Sequence, residues 1–350
     1  MLPGENMRIA IATPLPKELH DLIAIRHPDV QLLWDQTLLP PMRWAGDFKG
    51  DPSFERTVNQ QKAFEAMLDQ ADVIYGIPDV SPAQLKRTVE ANDHLRWVMV
   101  MAAGGGAVVK AANLSSEDLR RVAFTTSAGV HAGPLSEFAL FGLLCGAKNL
   151  VRLRIDQREH HWPPRWPMTQ LSDSTVTVVG MGHLGKEIAK KLKALGTNVI
   201  GVNKTVRDVP GVTVLGMDRL LDAVAMSDGV VSTLPGTAAT KGIFSAEVIF
   251  GFKPGSTFVS VGRGTVVDED ALIHALKNGT VGFAALDVFA AEPLPEDSPL
   301  WDMSNVLVSP HTAANSAGEE KLIAEFFCDN LQRFKNGAPL LNVVDTKHFY

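Results

Sequence analysis

From Arg8 onward, short apolar runs alternate with stretches of helical periodicity. Ile9-Ala10-Ile11-Ala12 reads as a buried strand, Lys17 to Arg26 as a helix and Val30 to Trp34 as the next strand. A helix near Gln60 to Leu68, a strand Val73 to Tyr75, a helix from Pro82 and the run Trp97-Val98-Met99-Val100-Met101 continue the series. Parallel neighbours need a long crossover, and a helix supplies it, so this alternation predicts a doubly wound parallel sheet with helices on both faces. The second half repeats the pattern: strand Thr175 to Val179, helix Lys186 to Leu195, strand Asn198 to Val202, helix Arg219 to Ala225, strand Gly229 to Leu234. Further strands are predicted at Thr257 to Val261, Gly282 to Asp287 and Val306 to Val308. The fold class expected is α/β, with two doubly wound parallel-sheet domains.

Two segments depart from the alternation. Leu38 to Thr57 holds Pro40, Pro41, Trp44, Gly46, Phe48, Gly50 and Pro52, which forbids a regular element of any length. It reads either as a flap near a substrate pocket or as a surface loop pinned by Trp44 and Phe48. After His131-Ala132-Gly133-Pro134, a long helix from Leu135 to Leu153 is apolar around nearly its whole circumference, with Glu137 as an isolated acid. Such a helix is buried on more than one side, at a domain junction or a subunit interface.

Composition adds limits. At 350 residues the chain exceeds one small core, since domains hold roughly 100–200 residues, so two domains are expected. A net charge of −6 without any Lys/Arg run argues against a nucleic-acid partner. Cys145 and Cys328 offer no metal-ligand spacing and suit a reducing compartment; no metal site is expected. His160-His161-Trp162 lacks the further ligands a metal needs and reads as a solvent-facing helix end. Residues 1–6 lack the blocks of a signal peptide, and no run approaches the ~18 apolar residues of a membrane span, so a cytoplasmic protein without a membrane partner is expected.

The sharpest chemical signal is Gly180-Met181-Gly182-His183-Leu184-Gly185. With 29 glycines in the chain, a chance match is common, and context decides. This one follows the buried strand Val176-Thr177-Val178-Val179 and opens an amphipathic helix, as dinucleotide binding requires. Gly180 would make the tight turn, Gly182 would let the backbone approach a pyrophosphate, and Gly185 would let helix and strand pack closely. The backbone amides of His183 and Leu184 would lie at the helix N-terminus, which favours phosphate. At the end of the second strand an aspartate would select NAD. The chain has Asn203, then Lys204, Thr205 and Arg207, so cations and a hydroxyl stand where a 2′-phosphate would need them. NADP(H) is favoured; a solvated basic loop that still accepts NAD(H) is the alternative.

Further along, Val259-Ser260-Val261-Gly262-Arg263-Gly264-Thr265-Val266-Val267-Asp268 resembles a signature of the D-2-hydroxyacid dehydrogenase family. Leu286-Asp287-Val288-Phe289-Ala290-Ala291-Glu292-Pro293 and Ser309-Pro310-His311-Thr312-Ala313-Ala314 resemble two more, in the family's order. The likeness extends over nearly the whole chain, weakest before Leu95, and is nearest the glyoxylate/hydroxypyruvate reductase branch. It implies a Rossmann cofactor domain and a flavodoxin-like substrate domain with a cleft between them. The expected division is 1–124, completed by 316–350, for the substrate domain and 125–315 for the cofactor domain.

The resemblance implies that Arg263, Glu292 and His311 are catalytic, in hydride transfer between NAD(P)H and a small 2-keto acid or D-2-hydroxy acid. The residue types suit those roles. Histidine can donate a proton near neutrality, a glutamate on its other nitrogen favours the imidazolium, and a planar arginine holds a carboxylate. Asp287 matches a family aspartate near the nicotinamide. Thr233, Leu234, Pro235 and Thr240 resemble a cofactor-lining loop in which Gly236 replaces a larger residue, and Val261 and Gly262 lie in the cofactor signature. Backbone amides of Ala103, Gly104 and Gly105, with Arg263, would hold the substrate carboxylate; the glycines replace the more usual Ser-Ala-Gly-Val-Asp, and glycine runs can form an anion nest. Family members are usually homodimers. A non-catalytic NAD(P)(H)-sensing regulator on the same fold is the rival reading.

Overall fold

The protein is described from a computed structural model over residues 7–347 and 349, so the leader reading of residues 1–6 lies outside the described residues. It divides into two compact units, the first running to His131 and resuming at Asn315, the second spanning Ala132–Ala314.

In the first unit, β1 (Met7–Ile11), β2 (Val30–Leu33), β3 (Val73–Tyr75), β4 (Trp97–Val100) and β5 (Ala123–Thr126) form a parallel sheet in the order β2-β1-β3-β4-β5. That is the flavodoxin-like order. Every residue of β3 and β4 is buried, as strands covered on both faces require. The helix Glu319–Lys335 returns to this unit and buries Ile323, Phe327 and Leu331, spaced four apart along one face. Phe327 stacks on Trp97 at 5.1 Å and meets Tyr75 edge-on at 5.0 Å.

The expected border between residues 124 and 125 falls inside β5, and the unit boundary lies at His131/Ala132 instead. Local sequence could not show this, because Ala-Phe-Thr-Thr becomes a strand by pairing with β4, where Thr125 Oγ1 accepts the Trp97 indole N–H at 2.8 Å.

The stretch from Leu39 to the helix Val58–Leu68 contains no regular element. It is nonetheless built. Arg43 forks onto the buried Asp47 at 2.7 and 3.0 Å, and the Gly46 N–H donates to Glu320 at 2.6 Å. Phe48 packs against the core of the first unit, whereas Trp44 is 54% exposed under the Arg43 guanidinium, so only one of the two aromatics pins the loop.

The second unit holds β6 (Thr175–Val179), β7 (Asn198–Val202), β8 (Thr213–Leu215), β9 (Gly229–Ser232), β10 (Ser256–Ser260), β11 (Val281–Leu286) and β12 (Val306–Val308). Their order is β12-β11-β10-β9-β6-β7-β8, all parallel. Six of them follow the Rossmann order, and β12 extends it beyond β11.

The expected single helix after Pro134 is two, Ala132–Ala147 and Leu150–Arg158. Asn149 breaks it, with φ 52°, a left-handed conformation that asparagine tolerates, and its side chain caps the next helix at Arg152 N. The first of these helices lies so close to the sheet that a Cβ on Gly142 would stand 2.6 Å from the Ala285 Cβ. Its other face leaves Phe141 and Leu144 exposed, and Glu137 reaches Lys191 at 3.4 Å. No helix among the described residues is long and apolar enough to cross a membrane. His160, His161 and Trp162 follow the second helix, exposed, with His161 on Asp156 at 2.8 Å, and no group among the described residues could hold a metal ion.

Candidate active site

All the chemistry-bearing residues of the second unit leave the C-terminal ends of its parallel strands. β6 delivers Gly180 at φ 102°, its N–H bonded to Val202 O at 2.8 Å. The Thr233 hydroxyl, from beyond β9, donates to Gly180 O at 2.7 Å. Gly182 is the N-cap of the helix His183–Ala194, which has no side-chain cap. A Cβ on Gly185 would run into the Gly180 carbonyl oxygen, whereas a Cβ on Gly182 would meet nothing. So Gly185 serves internal packing, and Gly182 faces open space in front of uncapped helix amides. That arrangement fits the pyrophosphate of a dinucleotide. His183 is exposed and Leu184 half-buried against the core.

At the end of β7, Asn203 is engaged within the protein. Its Oδ1 accepts the Met181 N–H at 3.1 Å, and its amide donates to Thr205 O at 2.9 Å. Asn203 therefore ties the glycine turn to the loop that follows. Lys204, Thr205 and Arg207 are exposed on that loop, and neither cation has an ion-pair partner among the described residues.

Arg263 follows β10 between two glycines that allow close approach. A Cβ on Gly262 would lie 2.7 Å from Leu234 N, and one on Gly264 would enter the Phe289 main chain. The Arg263 loop is thus wedged between the loops after β9 and β11, with Val261 and Leu234 buried beneath it. Gly236 belongs to the same contact: a Cβ there would come 3.3 Å from the Arg263 stem and 2.9 Å from Thr265 Oγ1. This is a physical reason for the small residue at 236. The Thr240 hydroxyl stays within its own loop, on Pro235 O and Thr237 N, with Pro235 itself exposed. Arg263 Nη1 donates to Gly262 O at 2.7 Å, and the guanidinium has no carboxylate partner among the described residues.

Glu292 and His311 come together. His311 Nδ1 lies 2.7 Å from Glu292 Oε2, and Glu292 Oε1 accepts the Phe289 N–H at 3.0 Å. Burial alone would raise the Glu292 carboxyl, but the His311 and Phe289 hydrogen bonds and the nearby Arg263 charge hold it below the ordinary glutamate value. His311 has φ 53°. Asp287, 1% exposed, accepts three bonds on one oxygen: the Ser309 hydroxyl at 2.6 Å and the Thr312 and Ala313 N–H groups at 3.0 Å. The residue expected to face the cofactor also organises the histidine loop.

In the first unit, Ala103 and Gly104 are exposed in the turn after β4, and Gly105 is buried as the N-cap of the helix Gly106–Ala111. None of Gly104, Gly105 or Gly106 has positive φ, so the expected nest with its left-handed residue is not formed. A Cβ on Gly105 would run into Val100, which explains glycine there by packing.

Sequence reasoning missed Ser309, the Phe289 amide, and Glu269, which accepts the Ala290 N–H at 3.0 Å and braces the loop leading to Glu292. The Ser-Pro-His run carried the only local signal for Ser309.

A Rossmann sheet with this turn and this histidine-carboxylate pair defines a nicotinamide-dependent dehydrogenase. Residues 140–313 match the family model for the NAD binding domain of D-isomer specific 2-hydroxyacid dehydrogenases. The glyoxylate reductase of Korarchaeum cryptofilum is 32% identical over 235 residues, covering 65% of this chain and 70% of that protein. A D-isomer specific 2-hydroxyacid dehydrogenase from Xanthobacter autotrophicus Py2, solved in complex with NADPH and MES, is 29% identical with a TM-score of 0.77, over 99% of this chain and 100% of the other. The NADPH-dependent glyoxylate/hydroxypyruvate reductase from Sinorhizobium meliloti, solved with NADP and sulfate, is 25% identical with a TM-score of 0.76, over 99% and 100%. The chain belongs to the D-isomer specific 2-hydroxyacid dehydrogenase family and is an NAD(P)-dependent enzyme of that class.

Proposed function

We propose that this enzyme reduces glyoxylate, hydroxypyruvate or a similarly small 2-keto acid with NADPH, and that Arg263, Glu292 and His311 are its catalytic residues. The observation that carries the reading is the 2.7 Å contact between His311 Nδ1 and Glu292 Oε2. Bound reduced nicotinamide supplies a hydride to the carbonyl carbon. The carbonyl oxygen then needs a proton, which His311 would deliver from Nε2, the nitrogen that Glu292 leaves free. The carboxylate at Nδ1 fixes the orientation of the ring. Arg263, free of any carboxylate partner among the described residues, presents a planar fork to the substrate carboxylate.

Support for NADPH over NADH is the absence of an acid at the end of β7, together with the exposed Lys204 and Arg207. A homodimer is supported by the apolar side chains left uncovered on the second unit: Phe141, Leu144, Leu153 and the 95% exposed Trp162. Two free, buried cysteines suit the cytoplasm. The test is a panel of 2-keto acids assayed with each cofactor. Turnover of glyoxylate or hydroxypyruvate with NADPH is expected; oxidation of NADPH by no member of the panel would overturn the substrate reading, and faster turnover with NADH would overturn the cofactor reading.

A further inference from the structure

The histidine loop is held by a brace built from groups that do not themselves react. β12 ends at Val308, and Ser309, Pro310 and His311 turn sharply, with the His311 N–H on Ser309 O at 3.0 Å. At φ 53° His311 occupies a left-handed conformation, which costs a non-glycine residue free energy that its neighbours must offset. The enforcing group is Asp287 Oδ1. It takes the Ser309 hydroxyl on one side of His311 and the Thr312 and Ala313 N–H groups on the other. Asp287 is itself anchored in the sheet, its N–H on Ser260 O at 3.0 Å. Ser309 is 8% exposed, and its hydroxyl donates to that carboxylate at 2.6 Å.

We infer that Ser309 is a positioning residue for the reduction: its hydroxyl, bound to Asp287, fixes the left-handed turn that aims His311 at Glu292 and at the substrate oxygen. The inference rests on the reading of His311 as proton donor. A misplacement of about 1 Å at a reacting group can cost on the order of 100-fold in rate. Removing the hydroxyl also leaves a buried carboxylate one partner short, with the two amides still in place.

The experiment compares Ser309→Ala, Ser309→Thr and His311→Gln in the full-length enzyme, with kcat, KM for the keto acid, NADPH affinity by fluorescence titration, and the pH dependence of kcat. Ser309→Ala is expected to lower kcat roughly 10- to 100-fold and alter the pH profile, with NADPH affinity within about twofold of wild type. Ser309→Thr, which keeps the hydroxyl, restores most of the rate. In a His311→Gln background, Ser309→Ala adds no further loss, because the group it positions is gone. An unchanged kcat and pH profile in Ser309→Ala overturns the inference, as does an equal loss in the His311→Gln background. Should Ser309→Ala not fold, Ser309→Cys, similar in shape but a weak donor, carries the same comparison. Full activity in His311→Gln alone would instead sink the underlying reading of the histidine.

Discussion

Asn203 Oδ1 accepts the main-chain N–H of Met181 at 3.1 Å, while the same side-chain amide donates to Thr205 O at 2.9 Å. The residue that ends β7 thus spans the glycine turn and the cation loop. An aspartate in its place could keep the first bond but has no donor for the second. In the proposed function, cofactor choice involves the shape of the 204–207 loop as well as its charge.

Replacing both Lys204 and Arg207 by alanine should raise KM for NADPH roughly 10- to 100-fold and leave KM for NADH nearly unchanged, since in the proposed function the lost charges serve the 2′-phosphate that NADH lacks. Asn203→Asp should move preference toward NADH, through repulsion of the phosphate and release of Thr205. Steady-state kinetics with both cofactors decide it; parallel losses for NADH and NADPH would show that these residues do not read the phosphate.

The glycine turn separates two reasons for having glycine. Gly185 faces the Gly180 carbonyl, so Gly185→Ala should lower stability by about 1–3 kcal/mol through overpacking, even without cofactor. Gly182 faces open space, so Gly182→Ala should melt like wild type when cofactor-free yet bind NADPH more weakly. Thermal melts with and without NADPH test both. Equal behaviour of the two variants would contradict this division of labour.

The contrast with what the sequence could reveal is instructive at Gly182, Gly185 and Asp287. The glycine turn was legible because its strand, turn and helix are contiguous, and the β/α alternation was legible because a parallel strand buried on both faces needs a continuous apolar run. Strand β5 was not, since pairing with β4 rather than its own composition makes it a strand. The break at Asn149 was hidden because apolar periodicity continues across it, and only a single left-handed residue interrupts the helix. Arg263, Glu292 and His311 could be singled out by motif, but the small residue at 236 and the two bonds of Asn203 depend on neighbours far along the chain. Asp287 is the clearest case: the family resemblance implies a place near the nicotinamide, while its three bonds go to the loop of His311.

Both cysteines should be inert in the native protein. Burial pushes the Cys328 thiol up to about 11 and raises Cys145 as well, so neither supplies thiolate near neutral pH. Alkylation followed by mass spectrometry should label neither site in native protein and both after denaturation. Rapid native labelling of Cys328 would mean that the helix Glu319–Lys335 opens readily from the first unit's core.

His311→Ala should lower kcat by about 100- to 10,000-fold, the usual worth of a positioned general acid, with NADPH binding retained. Glu292 adds a pH signature. Its carboxyl is held below the ordinary glutamate value despite burial, because His311 and the Phe289 N–H bind its charged form. A depressed folded pKa means that the contribution of the Glu292 carboxylate is fully present above the unfolded value near 4.5 and is lost as pH falls through the lower folded value. The acid limb that belongs to Glu292 should therefore lie below the ordinary glutamate range, in step with protonation of its carboxylate. Glu292→Gln has no carboxylate to protonate, so this ionisation should vanish from its acid limb, and its kcat should already be reduced at neutral pH. The pH dependence of kcat for wild type and Glu292→Gln, measured where both stay folded by circular dichroism, checks the assignment. An identical acid limb in the two proteins would place that ionisation on some group other than Glu292.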